Sequence, residues 1–326
     1  MRLGGAARYV AEACTPADVA EAYRFARDRD LPAYALGGGS NVVGRDEGFD
    51  GVVILNKLTG LHMTDVAGAP GTITVEAASG ELLDDLAAAT AQRGYTGLEA
   101  TSAIPGTIGG AVMQNAGAYG QELSDVLVKV KAYDIQRGEF VTFARDQLDL
   151  SYRHSIFNST AHGRYFITAA IVELRQGALE GELYGSLQAY LADQGITSRQ
   201  PTAIRAAVTA IRAEKLPDPA VLPSSGSFFK NITVREDQVE GFRTRFPGIP
   251  IYMIGSCWEI ASGWLVEQAG LKGALLHGMR VSDKAALILI NESARSYADL
   301  AAARAEITQA VQEKFGFTLQ QEPEEL

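Results

Sequence analysis

The residues of this chain whose types and spacing could do chemistry fall first into two glycine-rich segments. Gly37-Gly38-Gly39 leads into Ser40-Asn41 after an extended apolar stretch ending at Leu36. Adjacent glycines can take φ > 0 and bring several N–H donors against one anion, an approach that side chains would block. A lone triple glycine is more often an ordinary turn. It is not a G-x-G-x-x-G fingerprint, because Val42 stands at the third glycine position and the residues after it do not read as a helix. A Walker-type phosphate loop is excluded as well, since no Gly-Lys-Ser/Thr follows. The second segment, Ile104-Pro105-Gly106-Thr107-Ile108-Gly109-Gly110-Ala111, runs into Gln114-Asn115-Ala116-Gly117-Ala118-Tyr119-Gly120. With almost no bulky core formers, it reads as backbone laid close to something flat or phosphorylated. Two such segments imply one long ligand gripped from two sides, and a dinucleotide fits.

Three further segments carry reactive side chains. Arg153 lies among aromatic and apolar residues in Ser151-Tyr152-Arg153-His154-Ser155-Ile156-Phe157. Ser227 and Lys230 flank two phenylalanines in Gly226-Ser227-Phe228-Phe229-Lys230-Asn231, and Glu322-Pro323-Glu324 lies near the last residue. Each has an ordinary reading by itself: a salt-bridged arginine, a turn serine, a solvated acidic stretch. A serine hydrolase is excluded, because the strand–turn–helix G-x-S-x-G elbow is absent around Ser227. His62, His154, His162 and His277 show no metal or triad pattern, and Cys14 and Cys257 offer neither a disulfide framework nor zinc spacing. No metal is expected.

Taken in order and spacing, these segments resemble the UDP-N-acetylenolpyruvoylglucosamine reductase (UDP-N-acetylmuramate dehydrogenase) family over nearly the whole chain. The resemblance implies non-covalent FAD held by Gly37, Gly38, Gly39, Ser40, Asn41, Pro105, Gly106, Thr107, Gly109 and Gly110 near the pyrophosphate, with Gln114, Asn115 and Gly117 near the flavin ring. It implies Arg153, Ser227 and Glu324 as the catalytic set. Those types suit reduction of an enolpyruvyl ether, which leaves negative charge spread into the neighbouring carboxylate. A guanidinium and a hydrogen-bond-donating carboxyl group stabilise such an enolate, and a serine hydroxyl can return a proton to the adjacent carbon. Hydride must come from the flavin, itself reduced by NADPH in a ping-pong order. For the UDP-sugar substrate, Lys215 resembles the family's diphosphate contact and Arg212 a uridine-side contact, and Asn231 adds a hydrogen-bonding group. Tyr184 resembles the tyrosine of a loop that closes over substrate, and with Lys215-Leu216-Pro217-Asp218-Pro219 it marks the subtype that has this loop. A tyrosine at helical spacing from Leu187 and Leu191 is, however, usually packing. Leu326 stands where a uridine-contacting arginine is often found, and Glu259-Ile260 where Lys-Leu is common. The alternatives are a flavin oxidase of the same superfamily acting on another substrate, and a non-catalytic nucleotide-binding paralogue.

The elements that must position these residues alternate along the chain. Thr15-Pro16 opens a helix with Val19, Ala20, Tyr23 and Ala26 at helical spacing. Extended stretches are expected over 33–36, 52–55, 72–77, 126–133 and 166–174. Ser79 is expected to cap a helix with Leu82, Leu83, Leu86 and Ala89 on one side, stopping near Gly94. Further helices are expected over 183–193 and from Pro201 to about 214, where Pro217 and Pro219 forbid continuation. Strands and helices alternate again over 259–268, 286–290 and 297–314. The fold class is α+β: a two-part FAD-binding region of the vanillyl-alcohol-oxidase-like type at 1–56 and 57–203, and an α+β substrate-binding domain at 204–326.

Bulk composition agrees with small-molecule chemistry. The 326 residues allow two or three domains. Against 29 Lys+Arg stand 39 Asp+Glu, a net charge of −10 that repels a nucleic-acid backbone. No apolar run approaches the roughly 20 residues of a membrane span, and Met1 to Gly5 lack the start of a secretory signal. A cytoplasmic protein is expected that binds neither nucleic acid nor membrane and, by the resemblance, is a monomer.

Overall fold

A computed structural model of the chain describes every residue except Ala220, Gly255 and Ser256. It divides into two compact units: residues 7–38 with 50–212, and residues 1–6 and 39–49 with 213–326.

The first unit holds two sheets. In the smaller, the strand Phe49–Asn56 lies between Ala7–Ala13 and Ala33–Leu36, and it runs parallel to the latter with Ala33 opposite Val52. The helix Pro16–Arg27 forms as expected. Thr15 accepts from the Asp18 N–H while the Asp18 carboxylate accepts from the Thr15 N–H, so two otherwise unpaired donors are satisfied before the first turn. Its inner face buries Val19, Ala22, Tyr23 and Ala26, and Tyr23 packs against the rings of Tyr133 and Phe166 from the second sheet. That six-stranded sheet follows the order Glu139–Ala144, Leu127–Asp134, Tyr165–Gln176, Thr72–Ala78, Leu61–Asp65, with Tyr95–Thr96 also pairing with Tyr165–Gln176. Its pairings are antiparallel. One residue in two of Thr72–Ala78 is buried along most of its length, the period of a strand with one face on the core. The helices Leu83–Gln92 and Ile108–Met113 contribute Leu83, Leu86, Ile108 and Val112 to that core.

Two expectations fail here. Ser79 does not cap the helix, which begins four residues later with Leu82 at its N-cap. Ser79 is fully buried at the strand end: its hydroxyl accepts from Asn56 Nδ2 and its N–H donates to the Thr168 carbonyl. The buried face is accordingly Leu83, Leu86, Ala87 and Thr90, and Leu82 is exposed. Nor is the 104–111 segment all loop, because Ile108–Met113 is a short helix. Glycines mask a helix in composition, yet Ile108, Ala111 and Val112 recur at helical spacing and are buried. Beyond the sheet, the helices Gly185–Asp193 and Pro201–Lys215 share a small core of Leu187, Leu191, Ile204, Val208 and Ile211.

The second unit contains an antiparallel sheet ordered Ser224–Ser227, Ile288–Asn291, Met279–Val281, Leu275–Leu276, and another ordered Ile232–Val234, Cys257–Ile260, Ile251–Ile254. The helix Tyr297–Phe315 buries Leu300, Ala303, Ile307 and Val311 against them. A Ser296–Asp299 capping box starts it, and Gly316 at φ +79° ends it. A parallel pair joins Glu324–Glu325 to Val42–Val43. Among the described residues no helix is long and apolar enough to cross a membrane.

Candidate active site

In the first unit the two glycine segments meet. A Cβ on Gly37 would lie 2.4 Å from Thr107 Oγ1, and one on Gly38 would lie 3.3 Å from Gly106 Cα. Gly37 thus lies against the Thr107 side chain and Gly38 against the Gly106 backbone, both too close for an added side chain without some shift. Thr107 Oγ1 is buried at this seam with no hydrogen-bond partner among the described residues, a cost of about 1–3 kcal/mol that a ligand acceptor or donor would offset.

Two guanidinium groups far apart in sequence lie close enough to interact. Arg153 is held in a tight turn closed by reciprocal Ser151–His154 backbone bonds, with φ at +50°. Its Nη2 donates to the Gly117 carbonyl at 3.2 Å. Arg212, on the last turns of Pro201–Lys215, donates to the Ala103 carbonyl at 3.3 Å. Burial pushes the Arg212 guanidinium below its ordinary pKa, Tyr119 pulls it back, and the charge of Arg153 lowers it further. Two cations that repel each other in a partly buried place favour an anion between them. Arg205 braces the same helix through a bidentate pair with Asp84, whose carboxylate also accepts the Ala103 N–H at 2.6 Å. Ala103, Asn115, Tyr119 and Arg153 all take positive φ, between +41° and +58°. Strained non-glycine backbone of this kind collects at functional sites. Tyr184 sits at the N-cap of its helix, 43% exposed, its ring edge-on to Tyr119 at 5.9 Å. Leu187 and Leu191 fill the core, while Tyr184 stays exposed beside Tyr119.

The second unit assembles Ser227 and Glu324 on adjoining chain segments. Ser224 pairs with Ile290 but Ser227 with Ile288, so one extra residue bulges at Ser225-Gly226, with Gly226 at φ +72°. Such a bulge re-aims the next side chain, and Ser227 emerges exposed while Phe228 and Phe229 are buried. The last residues run beside this strand end: Glu322 N–H donates to Phe228 O, and Lys230 N–H to Gln320 O. Glu324 N–H then donates to Asn41 O at 3.0 Å, and Asn41 Nδ2 donates to Glu322 O at 3.4 Å. Ser40-Asn41 thus leads into the strand Val42–Val43 that pairs with Glu324–Glu325. Lys215 is exposed and, among the described residues, makes no ion pair.

Comparison with known proteins follows these features. A family model described as an FAD binding domain matches residues 7–144. One described as the C-terminal domain of UDP-N-acetylenolpyruvoylglucosamine reductase matches residues 218–326. The reductase of that name from Ralstonia nicotianae is 38% identical over 325 residues, 99% of this chain and 94% of its own length. This chain belongs to the UDP-N-acetylenolpyruvoylglucosamine reductase family. The Pseudomonas aeruginosa member is 37% identical over 97% of this chain and 93% of its own. Among solved structures, the Thermus caldophilus reductase has a TM-score of 0.63 at 23% identity, covering 97% of this chain and 91% of that one, a likeness of fold.

For a UDP-N-acetylenolpyruvoylglucosamine reductase with an FAD-binding region, the seam at Gly37, Gly38 and Thr107 fits the cofactor: it offers bare backbone and one buried, unsatisfied hydroxyl. Several residues expected at the cofactor also have packing reasons for their type. The N–H groups of Ile108 and Gly109 already donate to Glu81 and Ser79 carbonyls, and a Cβ on Gly109 would press on Ser79 at 3.2 Å. Gly110, by contrast, is exposed, and a Cβ there meets nothing nearer than 4.0 Å. Gly117 is explained by the hairpin Gly117–Ala118 with Gln121–Glu122, where a Cβ would lie 2.4 Å from Gln121 O. Asn115 is fully buried, accepting from Ser124 N–H and donating to Glu122 and to the Ser151 carbonyl. It anchors the Arg153 turn. Gln114 Oε1 accepts from Asn158 at 3.4 Å, and Pro105 and Gly106 lead into the seam. The Asn231 side chain bridges buried Glu259 and the Ser262 N–H. Sequence reasoning missed Tyr119, Glu122 and the residues around Glu325. For Glu325 the only local signal is a second acid beside the first.

Proposed function

We propose that this chain reduces UDP-N-acetylglucosamine enolpyruvate to UDP-N-acetylmuramate, with NADPH as reductant, in the cytoplasm of a peptidoglycan-making bacterium. The observation that carries the reading is the meeting of the two glycine segments at Gly37 and Thr107, in a chain whose family is established. FAD, when bound, supplies the hydride chemistry that no side chain here possesses. Gly37 to Asn41, Pro105 to Thr107 and Gly110 would hold it. Arg153, fixed by the strained turn and by Gly117, presents a permanent cation to the enolate that forms as hydride reaches the methylene carbon. Glu324 donates a hydrogen bond to the same carboxylate. Ser227 Oγ gives its proton to the carbon bearing the ether oxygen, completing addition of H⁻ and H⁺ across the double bond. Arg212 and Lys215 take the uridine diphosphate, Asn231 a polar group of the sugar, and Tyr184 closes over it. The domain limits at 56 and 203 are part of this reading.

One anaerobic titration tests the proposal. Addition of NADPH should bleach the yellow protein, and the enolpyruvyl sugar should then restore the colour with one equivalent of saturated product. Bleaching that the sugar cannot reverse would point to another oxidant, and a colourless preparation unable to take up FAD would end the reading altogether.

A further inference from the structure

The second of the two adjacent glutamates near the last residue, Glu325, is heavily fastened. The Glu325 carboxylate accepts from Arg45 Nη2 at 2.5 Å through one oxygen, and from Tyr297 OH and Arg304 Nη1, each at 2.6 Å, through the other. Arg304 Nη1 also holds Gln321 Oε1 at 2.5 Å, and Gln321 Nε2 turns back to the Pro323 carbonyl at 2.7 Å. Burial alone would push the Glu325 carboxyl up, but the hydrogen bonds from Tyr297, Arg304 and Arg45 prevail and hold it at about 2. Being ionised at any ordinary pH, Glu325 has no proton to donate to a substrate.

The backbone carries the same pattern. Glu324 lies opposite Val42 and Glu325 opposite Val43 in a parallel pair. Glu324 N–H donates to Asn41 O, Leu326 N–H to Val43 O, and Arg45 N–H to Leu326 O. Successive side chains of a strand leave on opposite faces. Clamping Glu325 to the helix Tyr297–Phe315 and to Arg45 therefore dictates the face from which Glu324 leaves. A slip of one residue would exchange the two faces and turn the Glu324 carboxyl away from where the donor should be. Two acids stand side by side, and the donors of Arg45, Tyr297 and Arg304 converging on Glu325 fix which of them faces that way.

We propose that Glu325 is the positioning residue for Glu324: the clamp of Arg45, Tyr297 and Arg304 sets the register of the final strand and so aims the Glu324 carboxyl. The proposal rests on the role given to Glu324 above. It assigns no contact between Glu325 and substrate, so Glu325 acts only through its neighbour.

A double-mutant cycle with single-turnover kinetics tests this. In the FAD-loaded protein, Glu325→Ala should slow reoxidation by the enolpyruvyl sugar by roughly 10–100-fold, the size expected when a catalytic group is misplaced by about an ångström. In a Glu324→Gln background the same change should add little, because nothing remains to be aimed. A structural role would slow both backgrounds equally or neither. Hydrogen exchange supplies a readout independent of turnover: the amides of Glu324 and Leu326 should lose protection in Glu325→Ala. If that variant does not fold, Arg304→Gln, which removes one fastener, takes its place in the cycle with the same expectations. Wild-type reoxidation, additive slowing, or unchanged amide protection would each overturn the proposal while leaving Glu324 in its role. Normal reoxidation by Glu324→Gln alone would instead remove the reading on which it rests.

Discussion

At the scale of single residues, the structure separates glycines hemmed in by their neighbours from those that face open space. Gly109 and Gly110 are neighbours with opposite reasons to be glycine. Gly110→Val would place its branches in open space on the exposed side, so the expected outcome is a folded protein of near-normal thermal midpoint that retains little FAD. Gly109→Val would force Ser79 and the short helix apart and should lower the thermal midpoint as well, by the 1–3 kcal/mol typical of overpacking. Flavin absorbance and a melting curve on both variants distinguish the two, and full flavin content in Gly110→Val would move the cofactor off this seam. Ser227 is exposed at a bulge and makes no contribution to the core, so Ser227→Ala should fold normally. Bleaching by NADPH should persist in that variant, while reoxidation by the sugar falls by roughly 10²–10⁴-fold, the usual range for loss of a positioned general acid. Stopped-flow traces showing equal slowing of both half-reactions would leave Ser227 as a turn residue.

At the scale of elements, the short strand Glu324–Glu325 has its own pH dependence. The Glu325 carboxyl lies at about 2 in the folded chain against an ordinary value of 4.5, so the folded state binds fewer protons there than the unfolded one. The stability it contributes is complete above about 4.5 and is lost as the pH falls toward 2. Glu325→Gln removes the titration. The difference in thermal midpoint between wild type and this variant should be constant from pH 8 to about 5 and should shrink steadily below that; a difference that persists unchanged near pH 2.5 would show that the carboxylate is not what holds the strand. The helix Pro201–Lys215 is a contrasting case. Its start at Pro201 and its stop before Pro217 are legible locally, and its Asp84–Arg205 tie to the helix Leu83–Gln92 is not, because the partners stand 121 residues apart. The tie is what places Arg212 beside Ala103.

At the scale of the whole molecule, FAD should stabilise the chain by mass action, about 2.7 kcal/mol at a free concentration 100 times its dissociation constant. Stripping the flavin should lower the thermal midpoint, and titrating it back should raise the midpoint continuously; a midpoint indifferent to flavin would mean that the glycine seam does not hold it. Much of the architecture was already legible in the residue order. Capping boxes at Thr15–Asp18 and Ser296–Asp299, the alternation of Thr72–Ala78 and the proline stop after Lys215 act over a few residues, so nearest neighbours suffice to specify them. The order of the motifs likewise placed the chain in its family. Other features belong to tertiary structure alone: that Ser79 is a buried strand end, that Asn115 is buried and holds the Arg153 turn, that Gly117 lies against Gln121, that Tyr184 stays exposed beside Tyr119, and that Glu325 is clamped by Arg45, Tyr297 and Arg304. Asn41 and Glu322 touch across 281 residues of chain. Contacts of that span depend on how two packed surfaces meet, and the identity of a residue's neighbours in sequence carries no information about which distant backbone will arrive against it.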